Sequence, residues 1–186
     1  MNGSIATSED FLAQIRTQFR KQRELAEKAF AQVSDDDFFR LLDAENPLTG
    51  DNSLAVLAKH IGGNLRSRWL DFLTTDGQKP DRFRDREFLV DDDTRADIEA
   101  IWNRGWRITL ETLDSLAVED LGKSVTIRQQ PHTVIEALLR SLGHTAYHVG
   151  QIVQLARHFA GDRWQTLSIP RGESDRFDAM MKEKFS

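Results

Sequence analysis

The chain of 186 residues contains no cysteine. This absence excludes disulfide bonds, thiolate metal sites and a cysteine nucleophile, so a bound metal would need histidine, carboxylate or neutral oxygen ligands. A chain without disulfides also fits a reducing compartment. We therefore expect a cytoplasmic protein.

Long apolar runs and an excess of basic residues are missing as well. No segment approaches the ~18 consecutive apolar residues that a membrane-spanning helix needs, and the N-terminus lacks the pattern of a signal peptide. The net charge is -5, whereas nucleic-acid binders usually carry a basic surface. We expect no membrane and no nucleic-acid partner. The length suits one domain over residues 1–186.

Apolar side chains recur at helical spacing in four long segments. The predicted helices run from about Thr7 to Val33, from Asn52 or Ser53 onward, from Asp93 or Thr94 to about Ser115, and from about Thr133 to Ala160. Gly161 is a typical helix stop, and a short last helix is expected from Ser174. The pattern predicts an all-α protein, a four-helix bundle with elaborated loops.

Three features depart from plain helical periodicity. Gly62 and Gly63 interrupt the second helix, which indicates close helix approach, room for a ligand, or simple tolerance of glycine. Residues 74–92 form a long charged loop, and such loops are often functional. The alternation over residues 124–128 predicts a lone strand or one arm of a hairpin, which would have to pack on helices to persist.

Three histidines carry the strongest chemical signal. His144 and His148 lie four residues apart, so both imidazoles leave one face of the last long helix. A third imidazole, from His60 on the second helix, would complete a site with open positions that suits Zn²⁺, Ni²⁺ or Fe²⁺. The alternative is two surface histidines and one core histidine. Thr145 follows His144, so the His-Glu-x-x-His pattern of zincin proteases is absent.

The residues around these histidines are small or polar rather than large and apolar. Asn64 lies one helical turn after His60 and could orient it or a substrate. Tyr147 and Gln151 are candidates for the same role beside His148. His132 and His158 are too distant along the chain to join. Several arginines could attract an anionic cosubstrate, or could form ion pairs with neighbouring carboxylates; they are Arg68, Arg82, Arg84, Arg86 and Arg171.

Longer motifs resemble a known superfamily. The first spans residues 60–88 and includes His60-x2-Gly63-Asn64-x2-Ser67-Arg68-Trp69-x-Asp71-Phe72. The second is His144-x2-Tyr147-His148-x-Gly150-Gln151-Ile152, and the third is Leu167-Ser168-Ile169-Pro170-Arg171-Gly172-x-Ser174. Together these motifs, covering about residues 11 to 180, resemble the DinB/YfiT-like superfamily of metal-dependent helical bundles, in a branch of uncharacterised function.

The resemblance implies an up-down-down-up four-helix bundle and a divalent metal held by His60, His144 and His148. It also implies a homodimer, and it makes a low-molecular-weight thiol or another small molecule the expected substrate. Because the chain has no cysteine, such a thiol would have to be diffusible. We therefore expect a metal-dependent hydrolase or thiol-dependent transferase. The alternative is a non-catalytic metal-binding or stress-associated bundle.

Overall fold

The computed structural model describes residues 2–42 and 52–185, with side chains from residue 7 onward. Over these ranges the chain is mostly helical, and its one sheet has two strands. The elements are α1 (Asn2–Phe30), α2 (Asp35–Phe39), α3 (Leu54–Trp69), α4 (Arg95–Ser115), β1 (Ser124–Ile127), β2 (Gln130–Thr133), α5 (Val134–Ala160) and α6 (Ser174–Phe185). In these ranges no helix is long and apolar enough to cross a membrane.

The starts of three long helices follow from capping side chains that the sequence displays. Ser53, Thr94 and Thr133 each accept a hydrogen bond from the backbone N–H three residues later, which satisfies a donor that the first helical turn leaves free. These starts confirm the predicted ones. α1 differs, because it begins at Asn2, ahead of the first apolar residues that could have indicated it.

The predicted connector after α1 contains one further helix. Ser34 caps α2, and Phe38 is completely buried against Phe30, with ring centroids 5.3 Å apart. Residues 43–51 of that connector lie outside the described residues. Apolar character alone does not predict burial here, because Ile135 and Ile169 are 38% and 40% exposed.

α3 and α4 make the most extensive helix pair and run in the same direction. Near their beginnings Lys59 pairs with Asp93, and at their ends the Thr112 hydroxyl donates to the Trp69 carbonyl at 3.1 Å. Glycine permits this approach: a Cβ on Gly62 would lie 2.7 Å from the Ile101 carbonyl oxygen. Close helix approach therefore explains Gly62.

α1 and α5 complete the arrangement around α3 and α4. Arg20 on α1 pairs with Asp114 near the end of α4 at 2.7 Å. Arg95, at the start of α4, donates to the Phe30 carbonyl at the end of α1. α1 and α4 are therefore antiparallel. Trp69 at the end of α3 donates to Ser141 in the first half of α5.

Aromatic rings join α1, α3 and α4 in the core. The Phe19 ring is fully buried and meets the edges of Trp69 and Trp106 at centroid distances of 5.4 and 6.4 Å. Trp102 stacks edge-on with Trp106 at 5.4 Å. Each such pair contributes ~0.5–1.5 kcal/mol beyond the burial of its area.

The predicted strand over residues 124–128 is one arm of a hairpin. Val125 and Ile127 face the core, and the turn holds Arg128 and Gln129 at φ angles of 54° and 65°. Such angles are unfavourable for residues with a Cβ. The Asp76 carboxylate accepts the backbone N–H groups of both residues, at 2.9 and 2.7 Å, and so stabilises the turn.

Gly105→Ala is expected to destabilise the protein by ~1–3 kcal/mol, since the new methyl group would meet the Gly62 backbone, whose Cα is 2.9 Å from the added Cβ. Gly143→Ala on α5 is the matched control. A Cβ there meets nothing within 4 Å, so helix propensity should raise stability by up to ~1 kcal/mol. Chemical denaturation measures both, and equal effects would contradict this packing.

Asp76→Asn is expected to lower stability at neutral pH, because an amide N–H₂ would replace one oxygen that accepts backbone N–H groups. Burial acts against the Asp76 charge, but backbone hydrogen bonds from Gln129, Gln78 and Arg128 outweigh it and lower the pKa from 3.8 to about 2.

The wild-type stabilisation is therefore present above pH ~4 and is lost as the pH falls through about 2. Thermal melts of wild type and Asp76→Asn should converge across that window. The exposed control Asp92→Asn should melt like wild type throughout, and a constant gap for Asp76→Asn would contradict the role given to its charge.

Candidate metal centre

Three histidines from two helices meet at one point. His60 lies on α3 and is 5% exposed, while His144 and His148 are half-buried on α5. One ring nitrogen from each residue lies within 4.8 Å of the other two. The three are therefore close enough to bind one metal ion together. Within the described residues, no further histidine or carboxylate joins them.

Hydrogen bonds to Nδ1 orient two of the three imidazole rings. Nδ1 of His60 lies 2.8 Å from a Glu87 carboxylate oxygen, and Nδ1 of His148 lies 2.7 Å from the Gln151 side-chain oxygen. Both acceptors favour a proton on Nδ1, which leaves the lone pair of Nε2 free to bind a metal ion. Nε2 of His60 already lies 3.4 Å from Nε2 of His144.

Glu87 reaches His60 because Gly63 has no side chain. Glu87 lies in the 3-10 helix Arg84–Phe88, inside the charged loop between α3 and α4. A Cβ on Gly63 would collide with the Glu87 carboxylate, whose carbon would be 2.8 Å away. Room for a protein side chain therefore explains this glycine, and the predicted functional loop supplies a residue of the site.

A buried ion pair holds Glu87 in turn. Arg82 donates from Nε and Nη2 to the two Glu87 oxygens at 2.7 and 2.8 Å, and the exposed fractions of these side chains are 3% and 9%. Burial raises the pKa of Glu87, but the hydrogen bonds from Arg82 and His60 outweigh it, so the net pKa is lowered. Glu87 is therefore a carboxylate at neutral pH.

The two histidines on α5 are held neutral. Burial, followed by the proximity of His148 and His60, lowers the pKa of His144 to about 4. Burial also lowers the pKa of His148, and the Gln151 hydrogen bond offsets part of that effect. Neutral imidazoles keep a lone pair free for a metal ion.

A cavity of about 330 Å³ opens beside His60 and His144. Among the described residues, five arginines and no carboxylate line it; the arginines are Arg68, Arg82, Arg84, Arg128 and Arg140. Its other lining residues are Asn64, Ser141, Trp69, Phe72, Ile127 and Ala137. We refer to it below as the arginine-lined cavity.

The other predicted site residues divide into two groups. Asn64 lines the cavity and Gln151 contacts His148. Tyr147 is 66% exposed, although its ring meets that of His148 edge-on at 5.0 Å. Arg171 is exposed in the segment after α5 and does not line the cavity. His132 and His158 stay outside the cluster, as predicted.

The arginines singled out from the sequence have different contacts. Arg82 pairs with Glu87, and Arg84 lies 3.8 Å from Asp85, as the ion-pair alternative expected. Arg86 stacks over the Phe83 ring. Arg68 lines the cavity together with Arg82 and Arg84, but it donates to the Gly77 carbonyl rather than to a carboxylate.

Sequence reasoning missed three residues of this region. Glu87 is not among the predicted site residues, although the glycine at position 63 signals a side chain that crosses α3. Arg128 and Arg140 gave no local signal, because the hairpin and α5 bring them to the cavity from distant parts of the chain.

Comparison with known proteins identifies a family and little else. Searches of curated proteins and of solved structures returned no match. Residues 6–173 match the family described as "Protein of unknown function (DUF1572)". This match covers most of the chain, which therefore belongs to the DUF1572 family.

Proposed function

We propose that this protein binds a divalent metal ion through His60, His144 and His148 and uses it as a hydrolase or a thiol-dependent transferase. The convergence of the three ring nitrogens within 4.8 Å supports this proposal most directly. The acceptors beside Nδ1 of His60 and of His148 add to it, because metal-binding histidines commonly donate the N–H of their second ring nitrogen to a carboxylate or carbonyl oxygen.

The donor set fits a borderline transition metal. Three imidazoles suit Zn²⁺, Ni²⁺ and Fe²⁺, whereas Mg²⁺ and Ca²⁺ prefer oxygen ligands. The low pKa of His144, about 4, means that protons do not compete for its lone pair at neutral pH.

The open side of the cluster supports an enzyme. Structural zinc sites are usually closed by four protein ligands, while catalytic sites keep a position free. Here the described residues supply three, and a cavity borders His60 and His144. A divalent ion in such a site acts as a Lewis acid. Asn64 and Ser141 can orient a substrate by hydrogen bonds, while Trp69 and Phe72 exclude water from its apolar part.

A non-catalytic role is the second candidate. An ion held by His60 and by the α5 pair would join α3 to α5, and these helices pack less extensively on each other than α3 packs on α4. The ion would then act mainly as a structural cross-link.

We also propose the finer architecture that the resemblance implies. The antiparallel contacts of α1 with α4, the shared direction of α3 and α4, and the contact of Trp69 with Ser141 support an up-down-down-up bundle of the DinB/YfiT-like type. The homodimer, the single domain, the cytoplasmic location and the absence of a nucleic-acid partner stay predictions.

Wild-type protein is expected to bind about one equivalent of Zn²⁺, Ni²⁺ or Fe²⁺. His60→Ala, His144→Ala and His148→Ala should each weaken binding by more than about 100-fold, since one of three ligands is lost. His158→Ala, also on α5 but outside the cluster, is the control and should bind like wild type. Elemental analysis and competition with a chromogenic chelator measure this; wild type that takes up none of these ions would contradict the proposal.

Metal removal separates the two candidate functions. An enzyme should keep its fold after chelation and lose turnover in hydrolysis or thiol-conjugation assays. A structural cross-link should instead show a large fall in melting temperature, with no turnover at any metal loading.

Glu87→Gln is expected to lower metal affinity by ~10–100-fold, as loss of a histidine's carboxylate partner typically does. Gly63→Ala should also lower metal affinity, although it changes no charge, because its methyl group displaces the Glu87 carboxylate.

Asp85→Asn, in the same loop but fully exposed, is the control. Circular dichroism melts must accompany the titrations, since Arg82 loses its partner in Glu87→Gln. A folded Glu87→Gln protein with wild-type Zn²⁺ affinity would contradict the role given to Glu87.

A further inference from the structure

The arginine-lined cavity carries more positive charge than its surroundings neutralise. Of its five arginines, Arg82 is paired with Glu87, and Arg84 lies near Asp85 at the surface. Arg68, Arg128 and Arg140 form no ion pair with a carboxylate in the part of the chain that the structure describes. Asp76 is near enough to raise the pKa of Arg68 somewhat, but it forms no ion pair with these three arginines, so three cationic side chains line one cavity without a paired carboxylate.

The arginines are close enough to repel one another. Burial, then the charges of Arg82, Arg128 and Arg140, lower the pKa of Arg68 to about 10. An anion placed between these guanidinium groups would reduce their repulsion.

One guanidinium also has a free donor. Arg82 uses Nε and Nη2 for Glu87, while its buried Nη1 has no hydrogen-bond partner among the described residues. The side chain is only 3% exposed, and a buried donor without a partner is costly. Arg82 lines the cavity, yet Nη1 itself is closed to solvent, so an oxygen of a bound molecule would reach it only if the side chain shifted.

The other walls limit what the anion can be. Trp69, Phe72 and Ile127 are at most 7% exposed and form an apolar surface, while Asn64 and Ser141 offer hydrogen bonds. A volume of about 330 Å³ lies at the small end of ligand pockets. These walls suit a small organic molecule with an apolar part and an anionic group.

We propose that the arginine-lined cavity binds a small organic anion, a carboxylate or a phosphate, which Arg68, Arg128 and Arg140 hold beside His60 and His144. Guanidinium groups suit both because they donate paired hydrogen bonds to two oxygens. This anion is the substrate only if the proposed function holds, whereas the cavity binds it in either case.

Calorimetric titration of metal-free protein with succinate and with inorganic phosphate tests the proposal. Both probes carry the required oxygens, and the stronger of the two identifies the preferred group. Succinamide has the shape of succinate without its charge and should not bind. Binding of the anions should weaken at higher ionic strength.

Arg140→Gln and Arg128→Gln should each weaken binding by about tenfold, because each removes a charge-assisted hydrogen bond. Both side chains are exposed, so their loss should spare the fold. Arg107→Gln on α4, an arginine that pairs with Glu111 away from the cavity, is the control and should leave the Kd unchanged.

No saturable binding of either anion would overturn the proposal. So would equal binding of succinamide, or wild-type affinity in both cavity variants. Metal binding measured on the same samples keeps the two proposals separate: metal uptake without anion binding overturns only the anion site, and anion binding without metal uptake overturns only the proposed function.

Discussion

The contact of Glu87 with His60 and Arg82 is the interaction on which the candidate site depends. It connects the charged loop to α3, aligns one imidazole and neutralises one cavity arginine. Removing a buried carboxylate and guanidinium from water is costly unless each is well hydrogen-bonded. Here both Glu87 oxygens have partners, which offsets the cost of burying the carboxylate and holds the ring of His60 in one orientation, while Nη1 of Arg82 has no partner among the described residues.

Two adjacent glycines allow α3 to serve both the core and the site. On one side, Gly62 lets the α4 backbone approach, which brings Trp102 and Trp106 against the aromatic core. On the other side, Gly63 leaves the space that the Glu87 side chain occupies. The ~1 kcal/mol that each glycine costs in a helix is thus offset by contacts that no larger residue would permit.

Charge is distributed unevenly around the histidines. The carboxylates lie around the site rather than in it: Glu87 contacts the far side of the His60 ring, and Asp76 accepts hydrogen bonds from the hairpin turn that contains Arg128. The cavity itself is cationic. A divalent ion next to these arginines would add to the repulsion, and an anion shared between them would relieve it. This electrostatic balance links the proposed metal to the proposed ligand.

The helices could be predicted from the sequence because their signals are local. Ser53, Thr94 and Thr133 cap the helices that they precede, and four-residue spacing puts His144 and His148 on one face. The start of α1 and the exposure of Ile135 could not be predicted, since neighbouring elements decide which part of a helix is covered. The long helices and the residue types that could bind a metal follow from local sequence alone. Tertiary packing brings His60 to the α5 pair, places Glu87 across Gly63 and carries Arg128 and Arg140 to one cavity. These contacts join residues distant in the chain and depend on how closely the helices pack, so local sequence does not reveal them.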